Sequence, residues 1–142
     1  LRPDLCSWIT TSDLAVAKEA LAAVISTLKS QGFTVNRATS VWTVYVIELD
    51  NKDVPHGEKG YFYVGETSKA PEVRFQEHMN NSVGGKNGRT RLASRVVFKR
   101  GKRLRMDLAP KEIYFSSAAS KAAEAAWAVK LRKKGFLVEG GH

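Results

Sequence analysis

Val41-Trp42-Thr43-Val44-Tyr45-Val46-Ile47-Glu48-Leu49 and, after the interval Asp50–Gly60, Tyr61-Phe62-Tyr63-Val64-Gly65 decide the fold. Both runs are dense in β-branched and aromatic residues, which suit a pleated, half-buried surface and predict two strands. Asn51, Pro55, Gly57 and Gly60 punctuate the interval as a loop, so the pair reads as a hairpin with an extended turn. Upstream, Leu14, Ala17, Leu21, Val24, Ile25 and Leu28 recur at three- and four-residue steps. That period predicts an amphipathic helix over roughly 13–30, with N-cap candidates in Thr11-Ser12-Asp13 and a terminating glycine in Gly32.

Downstream of the hairpin, Pro71 suits the first turn of a helix running to about Met79, with Ser68 as its cap. Asn80 to Gly88 reads as a loop. Arg95–Phe98 and Arg103–Leu108 are expected to be short strands about a turn at Gly101, and Glu112–Phe115 carries no clear signal. A second long helix is expected from Ser117 or Ala118 to Lys134. Its last turn holds Lys130, Arg132, Lys133 and Lys134, where cations complement the helix dipole, and Gly135 stops it. Phe136-Leu137-Val138 is expected to close the fold as a short strand. The sum is an α/β (α+β) chain forming one domain over 1–142, with a small, central, mostly antiparallel sheet flanked by helices.

A chain of 142 residues with 43% hydrophobic and 26% charged content has enough apolar material for one core, and is unlike a disordered tail. No apolar run approaches the roughly 20 residues that span a bilayer, and Leu1–Thr11 lacks the apolar centre of a signal peptide. The missing initiator Met points to a trimmed chain or a piece of a longer one. One cysteine, Cys6, cannot build an internal disulfide framework or a cysteine zinc site. It fits a reducing environment, hence a cytoplasmic location or, for a delivered effector, the cytoplasm of a target cell.

The charge is uneven. Against 14 Asp+Glu stand 23 Lys+Arg, a net +9. Lys86, Arg89, Arg91, Arg95, Lys99, Arg100, Lys102, Arg103 and Arg105 follow one another with no acidic residue between them. Such a field attracts polyanions, with a merely solvated face as the alternative. A membrane-surface role fits less well, because the segment lacks an apolar helical stripe.

Three fragments carry chemistry. Tyr45 stands in the first strand, Tyr63-Val64-Gly65 ends the second, and Arg74 and His78 lie four apart on one face of the next helix. An arginine supplies a planar, permanent cation for phosphate oxygens, and a histidine can move a proton near neutral pH. Each also has an ordinary reading: strand tyrosines pack, a glycine after a strand turns the chain, and an arginine pairs with a carboxylate.

Their order and spacing, with Arg74 eleven residues beyond Tyr63, resemble the GIY-YIG nuclease superfamily. The Arg-x-x-x-His spacing is most similar to its restriction-endonuclease-like branch. The resemblance covers about 41–142 and leaves 1–40 as an N-terminal helical extension. It implies a metal-dependent endonuclease hydrolysing DNA phosphodiesters, with Tyr45, Tyr63, Arg74, His78 and Glu124 as catalytic residues. Glu124, isolated in an Ala-rich helix, would be the protein ligand of one Mg²⁺ or Mn²⁺ ion. Gly65 would turn the backbone beside the substrate, and Lys69, Arg100, Lys102, Arg103 and His142 would contact DNA.

Two departures stand out: Thr43-Val44-Tyr45 replaces Gly-Ile-Tyr, and no Asn follows Asn87 to serve as the family's late asparagine. Another group, His142 or a backbone amide, would have to take over that role. The alternatives are a non-catalytic nucleic-acid-binding module on the same fold, or a nuclease toxin or effector domain controlled by an inhibitory partner protein. RNA stays open as a second substrate.

Overall fold

The computed structural model describes residues 13–33, 40–80, 83–84, 90–91 and 95–141. Helix α1 spans Leu14–Ser30. Of the three cap candidates Asp13 is the one used, its carboxylate accepting the Val16 N–H at 3.1 Å; Thr11 and Ser12 lie outside the described residues. Gly32 follows the helix with φ +90°, a conformation that favours glycine. Ala17 and Leu21 are buried against Val41, with Ile113 and Phe115 at the margin, so α1 packs where the first strand begins.

Strands β1 (Thr43–Leu49) and β2 (Tyr61–Thr67) pair antiparallel as the predicted hairpin, placing Tyr45 opposite Gly65 and Ile47 opposite Tyr63. β2 therefore runs on past Gly65, which is a mid-strand residue and not the turn that its sequence position suggested. Helix α2 (Pro71–Met79) has Pro71 in its first turn as expected. Ser68 does not cap it: the N-cap is Ala70, with no side-chain hydrogen bond, and Thr67 Oγ1 instead accepts the Lys69 N–H at 3.0 Å. Proline has no N–H to satisfy, which lessens the need for a capping side chain. Within and beyond the expected loop, β3 (Val83–Gly84) and β4 (Thr90–Arg91) form a two-stranded antiparallel pair.

The predicted strand at Arg95–Phe98 is wrong. Arg95–Arg100 is a helix, α3, with Val97 wholly buried and Phe98 and Lys99 exposed. The second predicted strand is displaced: β5 is Gly101–Leu104, and Met106–Leu108 is a turn of 3-10 helix. Gly101 is the junction. It starts β5 opposite Leu49, and a Cβ there would strike the Val97 carbonyl oxygen of the preceding helix. Helix α4 (Ser117–Lys133) is capped by Ser116, whose Oγ accepts the Ala119 N–H. It leads to β6 (Leu137–Gly140), two residues longer at its end than expected.

The sheet order is β5-β1-β2-β6, antiparallel except for the β2–β6 pair. A parallel pair needs a long crossover, and the chain from α2 through α4 supplies it. Helices cover both faces. Tyr45, Ile47, Leu49 and Tyr61 pack with Val97 of α3 and Phe75 and Met79 of α2. On the other face Val44, Val46, Phe62 and Val64 pack with Ala128 and Leu131 of α4 and Val138 of β6. Trp127 Nε1 donates to the Leu108 carbonyl at 2.8 Å, fastening α4 to the 3-10 turn. No described helix is long and apolar enough to cross a membrane.

Candidate active site

Alternation along β1 sends the Tyr45 side chain to the α2 face, where it is 1% exposed. Directly across the ladder stands Gly65, and a Cβ there would overlap the Tyr45 phenol carbon and oxygen. The glycine is needed because another side chain occupies its space, not because the backbone turns. Tyr63, two residues earlier on β2 and on the same face, has its ring centroid 6.3 Å from that of Tyr45.

The third member comes from α2. His78 is wholly buried, its ring 6.1 Å from Tyr45 and 5.4 Å edge-on to Tyr63. The Tyr45 hydroxyl and His78 Nε2 are hydrogen-bonded at 2.8 Å. Burial, reinforced by the nearby Arg74 cation and only partly offset by Glu77, pushes His78 down to about 4, so the imidazole is neutral at physiological pH. Burial, with Tyr63 beside it, holds the Tyr45 phenol well above its ordinary range despite the opposing pull of Arg74. A neutral phenol bonded to a neutral imidazole is the resting state.

Arg74 lies one helical turn before His78 and reaches Tyr45 through both charge and hydrogen bonding. Its Nη1 also donates to Glu77 Oε1 at 3.2 Å, and the other Glu77 oxygen takes the Lys69 ammonium. Burial alone would raise the Glu77 carboxyl, but the bonds from Lys69 and Arg74 outweigh it and leave the group below its usual range. Glu77 thus tethers two sequence-predicted phosphate contacts, and sequence reasoning missed it. Its signal was the i, i+3 spacing from Arg74, which suits an ion pair as well as a ligand site.

Glu124 reaches the group from α4. It is 8% exposed, and its charge bears on the Tyr45 phenol. Its Oε1 accepts the Gly141 backbone N–H at 3.1 Å. One turn earlier, buried Ser120 donates to Glu66 Oε2 at 3.0 Å. Among the described residues no three His, Cys, Asp or Glu side chains converge into a metal-binding group. A cation beside Glu124 would therefore take its remaining ligands from water and substrate.

Tyr45, Tyr63, Gly65, Arg74 and His78 are thus gathered, with Lys69 linked to them through Glu77 and Glu124 bearing on Tyr45 through its charge. The basic residues of β5 are not. Glu48 follows Val44 and Val46 onto the α4 face, away from Tyr45, and receives Lys102 at 3.5 Å, Arg103 at 3.1 Å and Arg105 at 2.6 Å. Arg100 donates to the carbonyls of Asp50 and Lys52. His142 lies outside the described residues.

The sequence model of the GIY-YIG catalytic domain matches residues 41–136, a span that contains both tyrosines, Gly65, Arg74, His78 and Glu124. No curated protein and no solved structure matches the chain significantly.

Proposed function

The chain belongs to the GIY-YIG family and is an endonuclease of that type, and on that footing we propose that it cuts DNA with a single Mg²⁺ or Mn²⁺ ion held by Glu124. The observation that carries the reading is the 2.8 Å bond between Tyr45 and His78, flanked by Arg74 within the matched span. Hydrolysis of a phosphodiester needs a water deprotonated, charge on the phosphate offset and a leaving oxygen stabilised. The donor set fits a hard cation: one carboxylate of low exposure, with Oε1 already bonded to an amide, suits an ion that keeps several waters. Bound there, the ion would supply positive charge to the phosphate oxygens and acidify nearby water.

The protein groups do the rest. Tyr45 orients the attacking water through its hydroxyl. With His78 in its Nδ1–H tautomer, the phenol proton points at Nε2, so a proton taken from water passes along an existing bond to the imidazole. A phenol held above its ordinary range is un-ionised, so it can take a proton from water only by giving up its own, and His78 Nε2 is the acceptor within reach. Tyr63, stacked edge-on to His78, fixes the ring and offers a second hydroxyl to water or phosphate. Arg74 neutralises the scissile phosphate, exchanging part of its contact with Glu77 for phosphate oxygens. Lys69 stands behind it as a further cation. Arg100, Lys102 and Arg103 serve a more distant stretch of the duplex, where phosphate contacts position without specifying sequence.

The test is plasmid cleavage with Mg²⁺ and an EDTA control, run beside an RNA substrate. Glu124→Ala and Arg74→Ala are expected to abolish cutting while DNA binding and the fold persist. Wild-type rates in either variant refute the assignment. DNA binding without cleavage by the parent chain would leave a binding module on the same fold.

A further inference from the structure

The chain does not end its useful part at β6. Gly140 and Gly141 both have left-handed backbones, φ +78° and +79°, so the segment bends out of the strand and lies along α4. Three α4 residues spaced one turn apart receive it. Arg132 Nη2 donates to the carbonyls of Val138 at 3.1 Å and Gly140 at 3.2 Å. Ala128 faces Gly141 so closely that a Cβ on Gly141 would overlap the alanine methyl. Glu124 takes the Gly141 N–H at 3.1 Å. On the sheet side, a Cβ on Gly140 would overlap the Val64 carbonyl oxygen and press on the Tyr63 ring at 3.2 Å. Neither position has room for a side chain, and neither backbone conformation suits one.

We propose that the Gly140-Gly141 segment is a positioning element of the active site: the Gly141 amide occupies one oxygen of Glu124 and aims the other at the cation. The inference rests on the nuclease reading above. A carboxylate on a flexible three-bond stem ligates well only when its rotamer is fixed, and hydrogen bonds to ligating groups commonly set that orientation. The amide is a neutral donor, so it restrains Oε1 without cancelling the charge of the carboxylate. Gly141 acts through Glu124 and is not itself a catalytic residue.

Semisynthesis of the full chain with glycolic acid in place of Gly141 exchanges the amide for an ester, deleting the donor and adding no atoms that need space. The control is the same ligation with glycine. The dissociation constant for Mn²⁺ alone, read by electron paramagnetic resonance, is expected to weaken by at least about 10-fold in the ester chain. kcat on plasmid DNA falls with it, while KM for DNA and the thermal midpoint stay near the control. Equal Mn²⁺ affinity in the two chains overturns the proposal. Amide exchange of Gly141 reads the contact without metal or DNA: protection in the parent chain should drop in Glu124→Ala, and unchanged protection also overturns it. A parent chain that neither binds Mn²⁺ nor cuts refutes the nuclease reading, and Gly141 exchange then decides the contact alone.

Discussion

Burying a neutral histidine makes stability depend on pH in a direction opposite to that of a histidine in an ion pair. His78 has no exposed surface and titrates at about 4 in the folded chain, against an ordinary 6.5. Among the groups acting on it are Arg74, which disfavours its charged form, Glu77, which favours it, and the neutral Tyr45 hydroxyl. Between those two pH values the unfolded chain binds a proton that the folded chain refuses. Stability from this source is therefore complete above about pH 6.5 and is lost as pH falls toward 4. A gap of this size is worth on the order of 3 kcal/mol in full, of which roughly 2 kcal/mol is gone by pH 5.

Urea unfolding in EDTA at pH 7 and pH 5, on the parent and on His78→Gln, isolates the effect. Glutamine keeps a polar partner for Tyr45 but does not titrate, so the stability lead of the parent should shrink by about 2 kcal/mol between pH 7 and pH 5. In urea, with a typical slope of about 1–3 kcal/mol per molar, that moves the parent midpoint by roughly 1 M relative to the variant. Parallel pH curves for the two chains would show that His78 is not buried as a neutral ring.

Gly65→Ala drives a methyl into the Tyr45 phenol and is expected to cost about 1–3 kcal/mol and most of kcat; a variant cutting at the parent rate would remove Tyr45 from the reaction. Replacing Lys102 and Arg103 by alanine should lower the slope of log affinity against log salt by about 1 for each phosphate that is no longer neutralised. An unchanged slope would assign both cations to Glu48 alone. Asp13→Ala removes the α1 cap and is expected to cost about 1 kcal/mol in thermal or urea unfolding with no change in kcat. A matching fall in kcat would put α1 in the active site.

The elements that were legible in the sequence are those whose own residues carry a long repeat or clear punctuation. α1 shows several turns of periodicity, α4 is Ala-rich with cations in its last turn, both end at glycines, and the hairpin shows two dense β-branched runs. α3 defeated the same reasoning because six residues are too few for a helical period, and adjacent Val96 and Val97 look like strand. Only its position over β1, with Val97 inside and Phe98 out, makes it a helix. The site was legible as a set of residue types but not as a geometry. Nothing local says that His78 is buried, that Lys69 shares Glu77 with Arg74, or that the basic run of β5 turns toward Glu48. The first two depend on which side of α2 meets the sheet, and the third on which strand face Glu48 occupies, which a one-residue change of register would reverse.

Gly65 shows most directly how register makes the site. Tyr45 faces α2, whereas Glu124 belongs to α4 on the other side of the sheet, yet its charge reaches the phenol. A sheet carrying full side chains on both faces would keep two such groups well apart. Here the row that begins at Tyr45 crosses β2 at Gly65, and Val64 pairs with Gly140 in β6, one residue before Gly141 meets Glu124. Gly65, Gly140 and Gly141 thus follow one another from the strand that carries Tyr45 to the helix that carries Glu124. The Tyr45 ring lies over the first of them, and the last donates its amide to Glu124. Adding a side chain at Gly65 therefore does more than strain a strand: it displaces the Tyr45 phenol. A side chain at Gly141 would instead displace the carboxylate at the other end. Loss of cleavage from both substitutions, with the Tyr45–His78 bond kept only in the Gly141 variant, is the pattern expected if both residues serve the proposed site.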